Sequence, residues 1–343
     1  MNPRERFLSA CRRQPVDRHP VWLMRQAGRY LPEYQELREK YDFLTICKRP
    51  DLILEASLQP WRRFGMDAVI IFSDILLPLH AMGARLTFED GVGPRFESTV
   101  RTEKEIEKLE IPRARISFSY ILEAIQNVRH EIKDNAALLG FVGAPWTLAA
   151  YLIEGGSGDF KAALNIMRES PGILSKLMDK ITTAVTHLAV EQVRAGCDAI
   201  QIFDTWGGLL GPAQYRELAL PHLKKISDEI RKAAAPAIIF IKKSSSLLEE
   251  MVDSGADVIS IGTDLDLKDA ISRVKDRRAV QGNLNPEILL RSASTVERET
   301  QKLLDVAGNR PGYIANLGHG VLPNTPVESV GAFVETVKRN AIA

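Results

Sequence analysis

"SPGILSKLMDKITTAVTHLAVEQVRAGCDAIQIF", residues 170–203, carries one complete period of the architecture. Ser170-Pro171 places a capping side chain before a proline at the first helical position, where the missing N–H has no partner to lose. Ile173, Leu177, Ile181, Val185 and Leu188 then keep one apolar face on the helix. Gly196 predicts its end, and residues 199–203 follow as an apolar run of strand length.

Working outward, similar runs occur at 21–24, 68–72, 137–142, 237–241, 258–261, 279–281 and 313–317, giving about eight with residues 199–203. Their continuous rather than alternating character suits parallel strands buried on both faces. Helical stretches with start signals lie between most of them. Asn285-Pro286 and Thr325-Pro326 repeat the cap-then-proline signal, and Thr325 to Glu328 fits a capping box. About eight βα units favour closure into a single (β/α)8 TIM-type barrel domain over residues 1–343, rather than an open doubly wound sheet. Two departures are expected: an N-terminal helical extension over residues ~3–13, and a β excursion in "ARLTFEDGVGPRFES" (84–98) after the second strand, with turns at Asp90-Gly91 and Gly93-Pro94.

The chain of 343 residues is 45% hydrophobic, enough for a large core. Its 45 Lys+Arg against 44 Asp+Glu leave a formal net charge of +1, so no global field draws it to nucleic acid or to an anionic membrane. Any attraction for anions must be local. Cys11, Cys47 and Cys197 are odd in number and far apart, which argues against a disulfide framework or a C-x-x-C site and for a reducing compartment. Nothing approaches the roughly 20 apolar residues of a membrane span, and the N-terminus interleaves charges too densely for a signal peptide. The expectation is a soluble cytoplasmic protein.

Function in such a barrel gathers at the carboxyl ends of the strands. Walking them gives Arg25 after the first, Ser73-Asp74 after the second, Asp204-Thr205 after the fourth, Lys242 after the fifth and His319 after the eighth. In "HPVWLMRQAGRYLPEY" (19–34) an apolar run stops at Arg25, and Arg29 follows one helical turn later. Either internal carboxylates meet these two cations or a ligand does, since a guanidinium beside a core is costly alone. Two together beside Gly28, which permits close backbone approach, favour a carboxylate-bearing ligand gripped by planar forks. Asp74 interrupts the wholly apolar run "AVIIFSDILLP" and demands a cation, a metal or a donor. Tyr151 reads more simply as a core residue with its hydroxyl at a rim, and Thr205 and Asp204 read equally as local turn caps. His319, between Gly318 and Gly320, sits where the backbone can approach a ligand. The pair Lys242-Lys243 reads most simply as a solvated rim. "EGGSG" (154–158) lacks the P-loop spacing, so nucleotide binding has little support.

The segments "PVWLMRQAGRYLPEYQELR", "IIFSDILLP", "GAPWTLAAYLIEGG", "QIFDTWGG", "QGNL" and "NLGHGVLPNTP" resemble, in order and across nearly the whole chain, the signatures of the uroporphyrinogen decarboxylase family. The resemblance implies a barrel with a deep cleft, a homodimer, a tetrapyrrole substrate whose acetates are removed as carbon dioxide to give coproporphyrinogen, and no cofactor or metal. It places Arg25, Gln26, Ala27, Gly28 and Arg29 on the substrate, with Arg38 near the cleft. Asp74 matches the catalytic aspartate, and Tyr151, Thr205 and His319 match the remaining polar positions. Many relatives carry serine where Thr205 stands. The resemblance also leads us to expect a glycine-rich stretch after the fifth strand and Asp-Trp after the sixth, where this chain has "KKSSSLLEE" and "SIGTDLDL". Two alternatives remain: a zinc-dependent corrinoid methyltransferase of the same superfamily, needing His and Cys ligands, and a barrel that binds tetrapyrroles without turnover.

Overall fold

Helices and strands alternate along the chain in the computed structural model, which describes residues 1–89 and 93–342. The strands, in chain order, are β1 (Ala68–Ile70), β2 (Leu86–Glu89), β3 (Gly93–Phe96), β4 (Ala137–Gly143), β5 (Ala199–Asp204), β6 (Ala237–Ile241), β7 (Val258–Ser260), β8 (Ala279–Leu284) and β9 (Tyr313–Leu317). Seven of them form one parallel sheet in the order β1-β4-β5-β6-β7-β8-β9. The β excursion is the antiparallel hairpin β2/β3, with Leu86 opposite Phe96. The expected Asp90-Gly91 turn lies outside the described residues, and Gly93 takes φ 101, a left-handed value that glycine adopts without strain.

One expectation is corrected. The apolar run 21–24 suggests the first barrel strand, yet within it only Val21 makes a β-bridge, parallel to Ala315. The segment still fills the gap between β9 and β1: Pro20 O accepts from Ala315 N (2.9 Å), and Val21 O accepts from Asp67 N (2.9 Å). Side chains take the place of the ladder. Val21 N donates to Asp67 Oδ2 (2.9 Å), Leu23 N to Gln26 Oε1 (3.2 Å) and Met24 N to Asn316 Oδ1 (3.2 Å). The apolar run therefore satisfies its backbone as buried chain must, without regular strand geometry.

Asp67 is fully buried and does more than close the seam. Its carboxylate also accepts from Arg6 Nη1 (2.8 Å) and from Arg18 Nη1 (2.7 Å) and Nη2 (2.9 Å). Arg6 belongs to the predicted N-terminal helix, which runs Pro3–Cys11 behind an Asn2/Glu5 capping box. Phe7, Ala10 and Cys11 of this helix join Ala68, Ala137, Ala199, Val258 and Ala279 in one buried cluster, so the helix plugs the amino-terminal end of the barrel. Arg4, paired with Asp198 at 2.8 Å, holds it on the β5 side.

Helix starts follow the prolines more closely than the caps. The helix Pro171–Ala195 begins and ends where expected, but the Ser170 side chain does not cap it. Asn285 caps only a short 3-10 helix, Pro286–Leu290. Thr325 is turned into the interior, its hydroxyl unpaired, and the last helix starts at Val327 without the expected capping box. Asp67→Asn should cost about 3–5 kcal/mol, the range for breaking a buried ion pair. It removes the carboxylate that meets Arg18 and one of the two that meet Arg6, the other being Asp17 at 2.6 Å, and urea denaturation with an unchanged midpoint would count against the closure role.

Candidate active site

Strand parity selects what reaches the mouth, because alternate residues face opposite sides of a sheet. In β5, Ala199 and Phe203 pack with the barrel interior, as do Ala68 and Ile70 in β1, and Ile238 and Phe240 in β6. Continuing each register past the strand brings Asp74, Thr205 and Lys242 to the carboxyl end. Asp204 falls on the opposite parity. It is fully buried against the helices, accepting from Thr147 Oγ1 (2.6 Å) and Tyr215 Oη (2.7 Å), and burial pushes its carboxyl up to about 6 against those two donors. Thr147 Oγ1 in turn accepts from Trp206 N (3.1 Å), and Trp206 O accepts from Trp146 Nε1 (3.0 Å), so this network fixes the turn that carries Thr205 and Trp206.

Arg25 comes to the mouth from the seam segment. Its backbone is left-handed at φ 59, a conformation costing on the order of 1–3 kcal/mol in a residue with a side chain. Gln26 holds it there: fully buried, its side chain spans Leu23 N and Ala68 O, and its carbonyl accepts from Tyr30 Oη (2.8 Å). Gln26 is thus turned into the core, while Ala27 and Gly28 are half-buried. Gly320 completes the arrangement, since a Cβ there would lie 2.6 Å from Arg25 Cγ.

The Arg25 guanidinium influences three groups at once. Burial pushes Asp74 up to about 6, opposed by a hydrogen bond from Leu76 N (2.8 Å) and by Arg25. Burial, together with the charges of Arg25 and Lys242, lowers His319 to about 4. Tyr151 is raised by burial and by Asp74, while Arg25 acts the other way. The structure therefore brings Arg25, Asp74, Tyr151 and His319 together. Tyr151, on the helix Pro145–Glu154, stands edge-on to Trp206 with ring centres 6.0 Å apart, beside Thr205.

Arg29 and Arg38 stand further round, both acting on the Tyr34 hydroxyl, which burial holds up at about 12. Tyr34 packs on Phe72 (5.5 Å), and the Arg38 guanidinium lies 5.9 Å from the Phe43 ring centre. The floor is aromatic: Phe141 meets Phe203 at 5.6 Å, Phe203 meets Phe240 at 6.2 Å, and Phe240 meets His319 at 6.0 Å. Among the described residues, Arg25, Arg29 and Lys242 have no carboxylate at ion-pair distance. Among the described residues, then, no internal acid meets Arg25 or Arg29.

The pair Lys242-Lys243 suggests a solvated rim. The Lys242 ammonium instead stands 5.8 Å from the Trp206 ring centre and acts on His319. Counting alternate residues from Ile238 would have found it. The two unexpected loops prove to be partners: Ser244 N (3.1 Å) and Ser245 N (3.0 Å) donate to Asp264, and Gly262 N donates to Ser244 Oγ (2.9 Å).

Fold and site together define a (β/α)-barrel with an aromatic floor and one desolvated carboxylate at a mouth where, among the described residues, Arg25, Arg29 and Lys242 have no ion-pair partner, a class suited to polyanionic small molecules. Residues 2–340 match the family described as uroporphyrinogen decarboxylase (URO-D), and the chain belongs to that family. It is 44% identical to the uroporphyrinogen decarboxylase of Chromohalobacter salexigens, over 97% of this chain and 96% of that one. It is likewise 44% identical to that of Pelobacter propionicus, over 97% and 98%. A solved methyltransferase from Methanosarcina mazei shares the fold, with a TM-score of 0.82 over 99% of both chains at 21% identity.

Gly320→Ala should displace Arg25 and lower kcat/KM on the order of 100-fold, as misplacement of a positioning group by about 1 Å can do. Near-normal kcat/KM in a folded Gly320→Ala protein would show that Arg25 does not depend on that space.

Proposed function

We propose that this chain decarboxylates the acetate side chains of uroporphyrinogen III, giving coproporphyrinogen III. The observation that carries the reading is Asp74: one carboxylate desolvated near an aromatic floor and within reach of Arg25, a cation that has no ion-pair partner among the described residues. A flat macrocycle fits such a floor, and its acetates and propionates fit Arg25, Arg29 and the neighbouring Arg38.

A pyrrole acetate loses carbon dioxide poorly because the electron pair left behind has nowhere to go. Protonation of the adjacent ring carbon creates an electron sink. The bond to the carboxylate then breaks, carbon dioxide leaves, and its electron pair neutralises the ring cation. A proton adds to the exocyclic carbon, the ring proton is lost, and a methyl group remains. The substrate serves as its own cofactor in this scheme. Asp74, facing the pyrrole N–H groups, stabilises the cation as it develops, an effect strongest where water is scarce. His319, neutral above about pH 4, and Tyr151 orient the substrate as hydrogen-bond partners. The initial proton comes from an arginine, a substrate carboxyl or a bound water.

The corrinoid methyltransferase reading draws on the fold alone. It requires a soft ligand set, and among the described residues no three His, Cys, Asp or Glu side chains converge to hold a metal ion. Cys11, Cys47 and Cys197 are all buried, with thiols held up by desolvation.

Incubation with uroporphyrinogen III under anaerobic, chelated conditions should yield stepwise loss of carboxyl groups; binding without product would make the chain a tetrapyrrole carrier. Asp74→Asn should fold yet lose most turnover. Its stability should move the other way. The folded-state value of about 6 lies above the ordinary 3.8, so the carboxylate destabilises the fold fully above about pH 6 and not at all below about pH 4. Asp74→Asn should therefore be more stable at pH 8 by on the order of 1–3 kcal/mol, with the gain gone at pH 4. Equal stability at both pH values would contradict the desolvation.

We further propose a cytoplasmic homodimer whose two clefts face one another and exclude water. Among the described residues no helix is long and apolar enough to cross a membrane. A monomer in sedimentation at working concentration would defeat the dimer.

A further inference from the structure

The substrate presents acidic groups all round its ring, whereas Arg25, Arg29 and Arg38 approach from the seam and β1 side of the mouth. The opposite side needs a cation of its own. Lys242 stands there, at the end of β6, on the interior register of Ile238 and Phe240. Its ammonium is exposed, 5.8 Å from the Trp206 ring centre, and among the described residues it has no ion-pair partner.

The backbone beneath it is fixed from two sides. A Cβ at Gly262 would fall onto the Lys242 carbonyl, 2.9 Å from its carbon, and a Cβ at Gly208 would lie 2.6 Å from Lys243 Cβ. Only glycine lets both loops approach so closely. Beyond Lys243, Asp264 accepts from Ser244 N and Ser245 N, while fully buried Ser244 takes the Gly262 N–H on its hydroxyl. The loop after β6 and the loop after β7 are thus clamped together under the lysine. A flexible side chain on a pre-ordered base is what a carboxylate contact requires, since less freedom is lost when the contact forms.

We propose that Lys242 binds a substrate carboxylate on the side of the cleft opposite Arg25, with the Trp206 face setting the path of its side chain, and so selects substrates acidic at both edges of the ring. This rests on the decarboxylase reading above. Lys242 is then a substrate-binding residue whose loss weakens binding and leaves the chemistry at Asp74 largely intact.

The test compares the unmodified chain with Lys242→Met and Lys242→Arg, using uroporphyrinogen III for steady-state kinetics and fluorescent uroporphyrin for direct binding. Lys242→Met should raise KM and Kd about tenfold, the size of one charge-assisted contact, with kcat changed less than about threefold. Its kcat/KM should fall less steeply with salt than that of the unmodified chain. Lys242→Arg should restore most of the affinity. Unchanged KM, Kd and salt dependence in Lys242→Met, while the unmodified chain turns over normally, overturns the lysine contact and leaves the decarboxylase reading standing. Uroporphyrin binding that weakens in Lys242→Met without turnover by the unmodified chain supports the contact and overturns the activity. Absence of both binding and turnover in the unmodified chain overturns both.

Discussion

The buried carboxylate of Asp67 is the constraint on which the rest depends. An ionised acid in a protein interior is tolerated only when its lone pairs are filled and its charge is met. Here Arg6 and Arg18 meet the charge while Val21 N–H occupies a remaining acceptor position. One group thereby joins the N-terminal plug, the seam segment and the start of β1. Because the seam is held at Val21, the chain emerges at the mouth four residues later in a fixed place, and Arg25 takes its left-handed turn over Gln26. Barrel closure and the position of the first cation are consequences of the same bonds.

At the other end of the barrel the electrostatic arrangement is reversed. Around Asp67 the charges are mutually satisfied; at the mouth they are not. Arg25, Arg29 and Lys242 lack ion-pair partners among the described residues, and burial raises Asp74 while it lowers His319. Such a mouth sacrifices stability in the empty protein and recovers favourable interactions when a polyanion enters. Aromatic side chains offer few groups to bind water, which strengthens the field of Asp74 on whatever lies over the floor. Lowering His319 to about 4 has a chemical meaning as well, because a neutral imidazole can accept or donate a hydrogen bond without adding another cation to the rim.

The sequence by itself determined the repeating unit, since continuous apolar runs and proline-started helices depend on local spacing. It also singled out Arg25, Asp74 and His319, because a polar group at the end of an apolar run is conspicuous without knowing its neighbours, whereas Tyr151 and Thr205 stood out as site residues only through the family resemblance. Only the tertiary structure decided the rest. The seam at 21–24 is apolar like a strand, but its hydrogen bonds go to Asp67, Gln26 and Asn316, two of them on distant elements. Asp204 and Thr205 are adjacent in the chain, yet Asp204 is buried against Thr147 and Tyr215 while Thr205, just past the strand end, is half-buried. Gln26 sits within the arginine motif yet faces the core. Lys242 looked like one of two solvated lysines until the clamp between Ser244, Gly262 and Asp264 fixed its base at the mouth. Local sequence can specify which side chains are polar and where strands end; which of them share a space depends on how distant segments close upon one another.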